Sequence, residues 1–559
     1  MKFSEMPYKH IDIEVVKAFF EKLITDSKNS KSGEEQFNLH KDYYKYISEL
    51  YTMIRIAGFR HDVDTTQEFY AKEKDYIDEI NPIISQYNNE YQKVLYNSPY
   101  RNYLEEKIGK VAFKNMELNF ASIDEKILPL MQEENALISK YDKIIASAKI
   151  PFRGEEFNIS LLRKYLTDND RETRKQAWKA LSDYFMSVTE DIDDIYDKLV
   201  KNRTKQAIEL GYENYIELGY NRMMRNSYRR EQVENFRSQV KKSFVPLVEK
   251  IQRKRQQDLG LCDLKYYDNE VYFKNGNPAP IGTPEEIMKA GQEMYRELSP
   301  ETAEFIDVMI ENELFDVLGR KNKKQGGYMD FLPMYKVPFI FANFNGTSGD
   351  VDVVTHECGH AFQGYVTRND EILEHNDITM ETAEIHSMSM EYFTYGWMDK
   401  FFGDRADDYF KMHLEDAITF IPYGCMVDEF QHIVYEKPEM TPAERKLVWK
   451  ELEKNYRPWL DFDGDVFFDN GGFWQKQGHI FWSPFYYIDY VLASVIAMQF
   501  KVRMDNDFSE AWKQYLKLCK ISASKFYEEM LDEVGLKSPF KEGTIEELAD
   551  NMAKKVFTE

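Results

Sequence analysis

Residues 347–362 read TSGDVDVVTHECGHAF, and they contain the pattern HExxH at positions 356–360. The hydroxyl at position 347 or 348 can cap the start of a helix. The aspartates that follow would stabilise the positive N-terminal end of the helix dipole, and three valines supply apolar surface. On such a helix, His356 and His360 lie one turn apart on one face, so both imidazoles can reach one zinc ion. Glu357 is beside them, where its carboxylate can accept a proton from a zinc-activated water molecule.

A catalytic zinc ion needs a third protein ligand and an open position. The longer motif that adds a third histidine is absent, because Val366 occupies that position. A glutamate on a following helix is the other common solution, and residues 380–391 (METAEIHSMSME) carry three on roughly one helical face: Glu381, Glu384 and Glu391. The spacing alone leaves all three open, whereas His386 points about 160° away from Glu384 on a helical wheel and ranks lower.

The rest of the chain reads as long helices with a few interruptions. Only 26 Gly and 18 Pro occur in it, and charged and apolar residues alternate at helical spacing almost everywhere. Breaks in this pattern fall at 148–160, 263–284, 326–349 and 461–478. Within the third break, residues 337–344 (VPFIFANF) have the composition of a strand, and Pro338 favours an edge position in a sheet. The sequence therefore predicts a mainly α fold with a small sheet.

Composition and charge exclude several classes of protein. The chain has 559 residues with 38 Tyr and 38 Phe, which is incompatible with a disordered protein. It carries 73 basic and 97 acidic residues, and the net charge of −24 disfavours binding to nucleic acid or to anionic membranes. The four cysteines form no closely spaced pair, and no apolar run approaches the roughly 18 residues of a membrane span. We therefore expect a soluble, cytoplasmic protein; its oligomeric state is left open.

Three blocks of the sequence resemble one family of enzymes. Residues 356–362 (HECGHAF), 384–391 (EIHSMSME) and 478–490 (GHIFWSPFYYIDY) are similar to the thimet oligopeptidase and oligoendopeptidase F family of zinc peptidases, closer to the oligoendopeptidase F branch. In that family the third zinc ligand is the first Glu of an E-x-x-S-x-x-x-E segment, which corresponds to Glu384. The second Glu of that segment corresponds to Glu391, which would hold a ligand imidazole in the right tautomer.

The third block implies groups that act on the substrate. In the family a histidine and a tyrosine cluster reach the substrate above the zinc, which here implies catalytic roles for His479 and Tyr490 and substrate contacts for Tyr486 and Tyr487. Tyrosine hydroxyls are neutral donors that can stabilise the oxyanion of a tetrahedral intermediate. The chain departs from the thimet oligopeptidase branch by one residue fewer between the histidine and the tyrosines.

The resemblance also implies an architecture and a domain division. We expect two helical halves that enclose a deep substrate channel, with an edge strand of a small β-sheet beside the zinc-binding helix. Residues 339–344 would be that strand, and Phe341 and Asn343 would contact an extended peptide. The expected domains are an N-terminal helical domain at 1–195 and a zinc peptidase domain at 196–559.

The function that follows is hydrolysis of internal peptide bonds in short oligopeptides, with one zinc ion and Glu357 as general base. A peptidyl dipeptidase or carboxypeptidase with the same zinc chemistry is the first alternative. A non-catalytic helical binding protein with a vestigial site is the second, and the intact Glu357 disfavours it, because a protein that only holds zinc needs no base.

Overall fold

A computed structural model describes residues 1–324 and 326–558, which are mainly helical, as predicted. The α-helices are, in chain order, α1 (Ile13–Asn29), α2 (Gly33–Val63), α3 (Glu68–Tyr96), α4 (Arg101–Ile108), α5 (Lys110–Phe120), α6 (Leu128–Ala146), α7 (Ile159–Leu166), α8 (Arg171–Glu209), α9 (Tyr215–Arg222), α10 (Arg230–Leu259), α11 (Pro284–Leu298), α12 (Pro300–Glu311), α13 (Gly349–Thr367), α14 (Met380–Phe393), α15 (Asp399–Phe402), α16 (Ala406–Glu436), α17 (Pro442–Tyr456), α18 (Val466–Asp469), α19 (His479–Trp482), α20 (Tyr487–Asn506), α21 (Phe508–Ile521), α22 (Tyr527–Glu533) and α23 (Thr544–Thr558). Within the described residues, no helix is both long and apolar enough to cross a membrane.

Two small sheets accompany the helices. Their strands are β1 (Ile150–Phe152), β2 (Glu155–Phe157), β3 (Phe315–Leu318), β4 (Tyr328–Leu332) and β5 (Val337–Phe344). Strands β1 and β2 form an antiparallel hairpin. The second sheet has the order β3-β5-β4, in which β5 runs parallel to β3 and antiparallel to β4.

The prediction that residues 337–344 form an edge strand is wrong, because β5 lies in the centre of its sheet. Pro338 pairs with Phe331 of β4, whereas pairing with β3 begins only at Ile340. The first residues of β5 therefore have a neighbour on one side only, where the missing N–H of a proline is tolerated. The proline marks the one-sided end of a central strand, and the edges of this sheet are β3 and β4.

The chain divides into two compact units that do not follow chain order. Unit 1 comprises residues 1–120, 279–406 and 500–536, and unit 2 comprises 121–278, 407–499 and 537–559. The predicted domains at 1–195 and 196–559 stay a prediction, and the boundary between them lies within helix α8. Each unit is assembled from three separate stretches of chain, so a single cut in the sequence cannot describe it.

In unit 1, helices α13 and α14 pack unusually close together at Gly359. A Cβ atom at this position would lie 2.6 Å from Cα of Ser387 and 2.8 Å from the carbonyl oxygen of His386. Both are backbone atoms that cannot give way, so the approach of the two helices requires glycine. Neighbouring helices hold the pair from outside, because Tyr515 of α21 donates to the His386 carbonyl at 2.9 Å and Tyr295 of α11 donates to the Val354 carbonyl at 3.0 Å.

Candidate active site

Helix α13 begins at Gly349, in the region that the sequence predicts, but its entry is stabilised differently. Ser348 occupies the cap position and its side chain makes no capping hydrogen bond. Instead, the Asp350 carboxylate accepts hydrogen bonds from the backbone N–H groups of Asn345 and Gly346, each at 2.8 Å. Desolvation raises the pKa of this buried carboxyl group, while the two N–H donors oppose that effect. Asp350 therefore orders the loop that leads from β5 into the helix.

The side chains of His356, His360 and Glu384 converge on one point between α13 and α14. Glu384 Oε2 lies 3.4 Å from Nε2 of His356 and 3.6 Å from Nε2 of His360. The three candidate ligand atoms are all within 4.8 Å of one another. Two imidazole nitrogens and one carboxylate oxygen are a donor set that a catalytic zinc site uses. The geometry thus fits a metal ion held by these three residues.

Other side chains fix the orientation of these candidate ligands. Glu391 Oε1 lies 2.6 Å from Nδ1 of His356, which places the proton on Nδ1 and leaves Nε2 to face the cluster. The Ser387 hydroxyl donates to Glu384 Oε2 at 3.1 Å. A hydrogen bond with the backbone of Ala383 engages the His360 ring. Each candidate ligand is thereby held by a hydrogen bond to a neighbouring group.

The pKa values of the two histidines in the cluster are shifted in opposite directions. Desolvation lowers the pKa of His360 to about 4, so this ring is neutral at physiological pH, as a metal ligand must be. Desolvation also lowers the pKa of His356, but Glu384 and Glu391 outweigh it and raise that pKa well above the usual range. A cation at the cluster would therefore displace a proton from His356.

Glu357 lies beside the cluster on the same helix and does not belong to it. Its side chain is half-buried, and desolvation raises the pKa of its carboxyl group while His356 lowers it. A carboxylate whose pKa is raised binds a proton more firmly than an exposed one and is the better proton acceptor. Its position and environment suit a general base.

The structure separates Glu384 from the alternatives that the spacing left open. Among the described residues, the cluster of potential metal ligands contains Glu384 and neither Glu381 nor Glu391. Glu381 is buried elsewhere along α14, and Glu391 contacts the other nitrogen of His356. His386 is fully buried, its ring nitrogens have no hydrogen-bond partner in the described part of the chain, and desolvation lowers its pKa to about 3. Its low ranking agrees with this placement.

In unit 2, the four predicted residues of the third block form one half-buried aromatic cluster. The His479 ring centroid lies 5.8 Å from that of Tyr486, 5.0 Å from that of Tyr487 and 5.9 Å from that of Tyr490. The Tyr486 and Tyr490 rings are 4.9 Å apart. Desolvation raises the pKa of Tyr487, so this phenol remains a neutral donor. The four residues that the family resemblance indicated in this block are therefore neighbours in space.

Gln477 orients the histidine of this cluster. Its Nε2 lies 3.0 Å from Nδ1 of His479, and its Oε1 accepts a hydrogen bond from the Tyr423 hydroxyl at 2.7 Å. With Oε1 accepting from Tyr423, Gln477 directs its NH2 group towards Nδ1 of His479.

Comparison with known proteins identifies the family. Residues 164–550 match Peptidase family M3, and residues 3–123 match the Peptidase M3 N-terminal domain. The chain belongs to peptidase family M3. It is therefore a peptidase, and the predicted family and enzyme class are confirmed.

Proteins similar to this M3 peptidase match it over all or part of its length. The solved structure of PZ peptidase A with inhibitor 2 is 44% identical, with a TM-score of 0.94, and the match covers 100% of this chain and 99% of that one. Group B oligopeptidase PepB from Streptococcus agalactiae serotype III (strain NEM316) is 22% identical, over 89% of this chain and 85% of the relative. An oligoendopeptidase F homolog from Lactococcus lactis subsp. lactis (strain IL1403) is 21% identical, over 52% of this chain and 48% of the relative.

Two predicted substrate contacts of the M3 peptidase lie in β5 and lose their basis with the edge-strand prediction. Phe341 is fully buried, and its ring stacks on Tyr328 with centroids 5.1 Å apart. Asn343 donates through Nδ2 to the carbonyls of Lys324 and Gly326, at 2.9 and 2.8 Å. Because β5 has a strand on each side, the main chain here does not provide the open sheet edge on which the prediction depended.

Two structural residues of the site were not predicted. Gly359 was quoted only as part of the motif, yet its missing side chain sets the distance between α13 and α14. A glycine inside a predicted helix interior is the signal that could have indicated a close contact. Gln477 directly precedes the Gly478 with which the third block begins, but no local pattern shows which side chain an amide will contact.

Proposed function

We propose that this M3 peptidase is a zinc-dependent endopeptidase that hydrolyses internal bonds of short oligopeptides. The observation that carries the proposal is the convergence of His356, His360 and Glu384 on one point, with Glu357 beside it. This arrangement supplies three ligands and a separate base, which hydrolysis by an activated water requires.

The donor set supports zinc as the resident ion. Two neutral imidazole nitrogens and one carboxylate oxygen suit zinc better than the all-oxygen sites of calcium or magnesium. When bound, zinc would polarise the scissile carbonyl and lower the pKa of a water molecule towards about 7. Glu391 keeps the proton of His356 on Nδ1, so that Nε2 remains available to the ion.

Glu357 then moves the proton of the reaction. Its carboxylate accepts a proton from the attacking water and delivers it to the nitrogen of the leaving amine. The raised pKa supports both steps, because a carboxyl group that binds the proton more firmly is a better acceptor and can hold it until the amine departs. A substituted Gln could neither accept nor deliver that proton.

Tyr490 and His479 would stabilise the oxyanion that forms on the substrate. The Tyr490 side chain is half-buried and its ring lies 5.9 Å from that of His479, and phenol hydroxyl and imidazole N–H groups are donors that can stabilise such an oxyanion. Tyr486 and Tyr487 belong to the same cluster and would contact the peptide.

The preference for internal bonds of short peptides is supported by what similar proteins are called. One relative is described as an oligopeptidase and another as an oligoendopeptidase F homolog. A peptidyl dipeptidase or carboxypeptidase would use the same zinc chemistry, and it would in addition need a cation that binds the terminal carboxylate of the substrate.

A peptide-library digest tests this proposal. Zinc-loaded enzyme, chelator-treated enzyme and a Glu357→Gln variant are incubated with the library, and mass spectrometry locates the cuts. We expect internal cuts in short peptides from the zinc-loaded enzyme alone. Cuts at a fixed distance from one terminus would favour the dipeptidase or carboxypeptidase alternative, and an absence of cuts would favour the non-catalytic one.

A further inference from the structure

The aromatic cluster of unit 2 is preceded by one residue in an unusual backbone conformation. Phe485 has a φ angle of +69°, in the left-handed region that residues other than glycine rarely adopt. It lies between α19 and α20, directly before Tyr486 and Tyr487. A bulky residue keeps such a conformation only where the surrounding structure holds it there.

Buried side chains from other parts of unit 2 hold the main chain at this point. Gln431 of α16 accepts a hydrogen bond through Oε1 from the N–H of Phe485 at 3.0 Å. The Arg225 guanidinium donates to the carbonyl oxygen of Phe485, and the Arg203 guanidinium donates to that of Phe481. Gln431 is 1% exposed and both arginines are fully buried. The N–H and the carbonyl group of Phe485 are thus both bound by buried side chains that have little freedom to move.

Gly219 of α9 makes room for the Phe485 ring. A Cβ atom at position 219 would lie 2.6 Å from Cδ2 and 2.7 Å from Cε2 of that ring. The ring is fully buried and packs 5.5 Å from the Tyr220 ring and 4.8 Å from the His432 ring, measured between centroids. Alanine is favoured over glycine inside a helix, so a glycine here is explained by the space that the phenylalanine needs.

The conformation of Phe485 separates a buried side of the segment from a half-buried side. Phe485 and Asp489 are fully buried, and Asp489 accepts a hydrogen bond from Arg225 at 3.0 Å. Tyr486 and Tyr490 are half-buried and belong to the aromatic cluster with His479. Because α20 begins two residues after Phe485, the φ angle of Phe485 sets the direction in which these tyrosines project.

We propose that Phe485, held by Gly219, Gln431 and Arg225, is a positioning residue that places Tyr486 and Tyr490 for the peptide substrate. The inference rests on the proposed function, because the tyrosines act on a peptide only if the chain is the endopeptidase described above. If the ring is displaced, the φ angle relaxes and α20 starts in a different direction. A shift of about 1 Å in a catalytic group can lower the rate on the order of 10²-fold.

Gly219→Ala tests the inference by pressing a methyl group against the ring. We expect kcat of the zinc-loaded enzyme to fall on the order of 10²-fold through Tyr490 and KM to rise through Tyr486, with zinc content close to wild type. Gly58→Ala in α2 is the matched control, because a Cβ atom there meets nothing within 4 Å. Thermal denaturation of each variant identifies the temperature range in which all are folded, and the kinetics are measured within it. A Gly219→Ala enzyme with wild-type kcat would overturn the proposal.

A double-mutant cycle shows whether the effect passes through the ring. In the Phe485→Ala background the ring is absent, so Gly219→Ala should cost at most about twofold more in kcat. The same large loss in both backgrounds would mean that Gly219 acts independently of Phe485 and would overturn the proposal. Should Gly219→Ala fail to fold, Gln431→Met replaces it, since this change removes the acceptor of the Phe485 N–H. Wild-type kcat in Gln431→Met would then refute the positioning role.

A spectroscopic comparison separates this inference from the proposed function. 3-Fluorotyrosine introduced at position 490 should give a ¹⁹F resonance that shifts in Gly219→Ala and stays in place in Gly58→Ala. This result is expected whether or not the wild-type enzyme cleaves the peptides that are offered. Wild-type enzyme without turnover contradicts the proposed function alone, whereas an unshifted resonance in Gly219→Ala contradicts the positioning role alone.

Discussion

The candidate metal site of unit 1 and the aromatic cluster of unit 2 are constructed by different means. His356, His360 and Glu384 project from two regular helices, and the spacing within each helix sets their relative positions. His479 and Tyr490 belong to α19 and α20, and the segment between these helices contains Phe485, whose left-handed backbone is held in place by buried side chains from elsewhere in the unit. The first arrangement depends on local periodicity and one helix–helix contact, and the second depends on tertiary hydrogen bonds.

The largest expected effect is at Glu384, the third candidate zinc ligand. Glu384→Ala leaves two imidazoles, too few for a stable catalytic site, so zinc affinity and activity should both be lost. Glu381→Ala is the matched control, because this buried glutamate lies outside the cluster and its loss should leave zinc affinity nearly unchanged. Titration of zinc against a competing chelator measures both. Equal affinity in wild type and Glu384→Ala would move the third ligand to Glu381 or Glu391.

The next largest effect is expected at Glu357, which we propose as the base and which lies on the same helix as two candidate zinc ligands. Glu357→Gln should keep its zinc, because Glu357 is not in the donor cluster, and should lose at least the roughly 10²- to 10⁴-fold that removal of a general base costs. Metal content and peptide hydrolysis are measured on the same sample. Wild-type turnover in the zinc-loaded variant would exclude Glu357 as the base.

A smaller effect is expected in the aromatic cluster. Tyr490→Phe removes one hydroxyl and keeps the ring, so kcat and kcat/KM should fall together by about 10² to 10³, with KM similar and zinc content unchanged. Tyr487→Phe is the control from the same helix and should have the weaker effect. Steady-state kinetics on one fluorogenic peptide compare them. An impairment that appears only in KM would assign Tyr490 to substrate binding.

The difference between the two regions explains which parts of the candidate site could be predicted from the sequence. The HExxH spacing and the helical character of 380–391 follow from local periodicity, so the ligand helices and three candidate glutamates could be predicted from it. The choice of Glu384 came from family resemblance, because Glu381, Glu384 and Glu391 share roughly one face. In the structure, the choice depends on how close α14 approaches α13 at Gly359, which is a tertiary contact.

Non-local pairing also accounts for the predictions that failed. The composition of 337–344 correctly indicates a strand, but the position of β5 in the sheet depends on β3, which precedes it by about twenty residues. Pro338 is compatible with an edge strand and with the one-sided end of a central strand, and only the register distinguishes them. The left-handed backbone of Phe485 likewise has no local signature, since phenylalanine does not favour it.

The smallest expected effect tests whether zinc binding by α13 and α14 also depends on Glu391, which contacts a candidate ligand without being one. Glu391→Gln removes the charge next to Nδ1 of His356, and loss of such a supporting carboxylate typically lowers metal affinity by about 10- to 100-fold.

The effect of Glu391→Gln on zinc affinity should depend on pH. Glu391 helps to raise the pKa of His356 well above the usual range, so the wild-type site must release a proton to bind zinc until the pH exceeds that pKa. In the variant this pKa is lower and competition from protons is weaker, which offsets part of the loss at acidic pH. The ratio of wild-type to variant affinity should therefore grow as the pH rises and level off above the wild-type pKa of His356. Chelator-competition titrations across this range measure it, with Glu371→Gln at an exposed position as control. A ratio that stays constant with pH would mean that Glu391 orients His356 without setting its protonation.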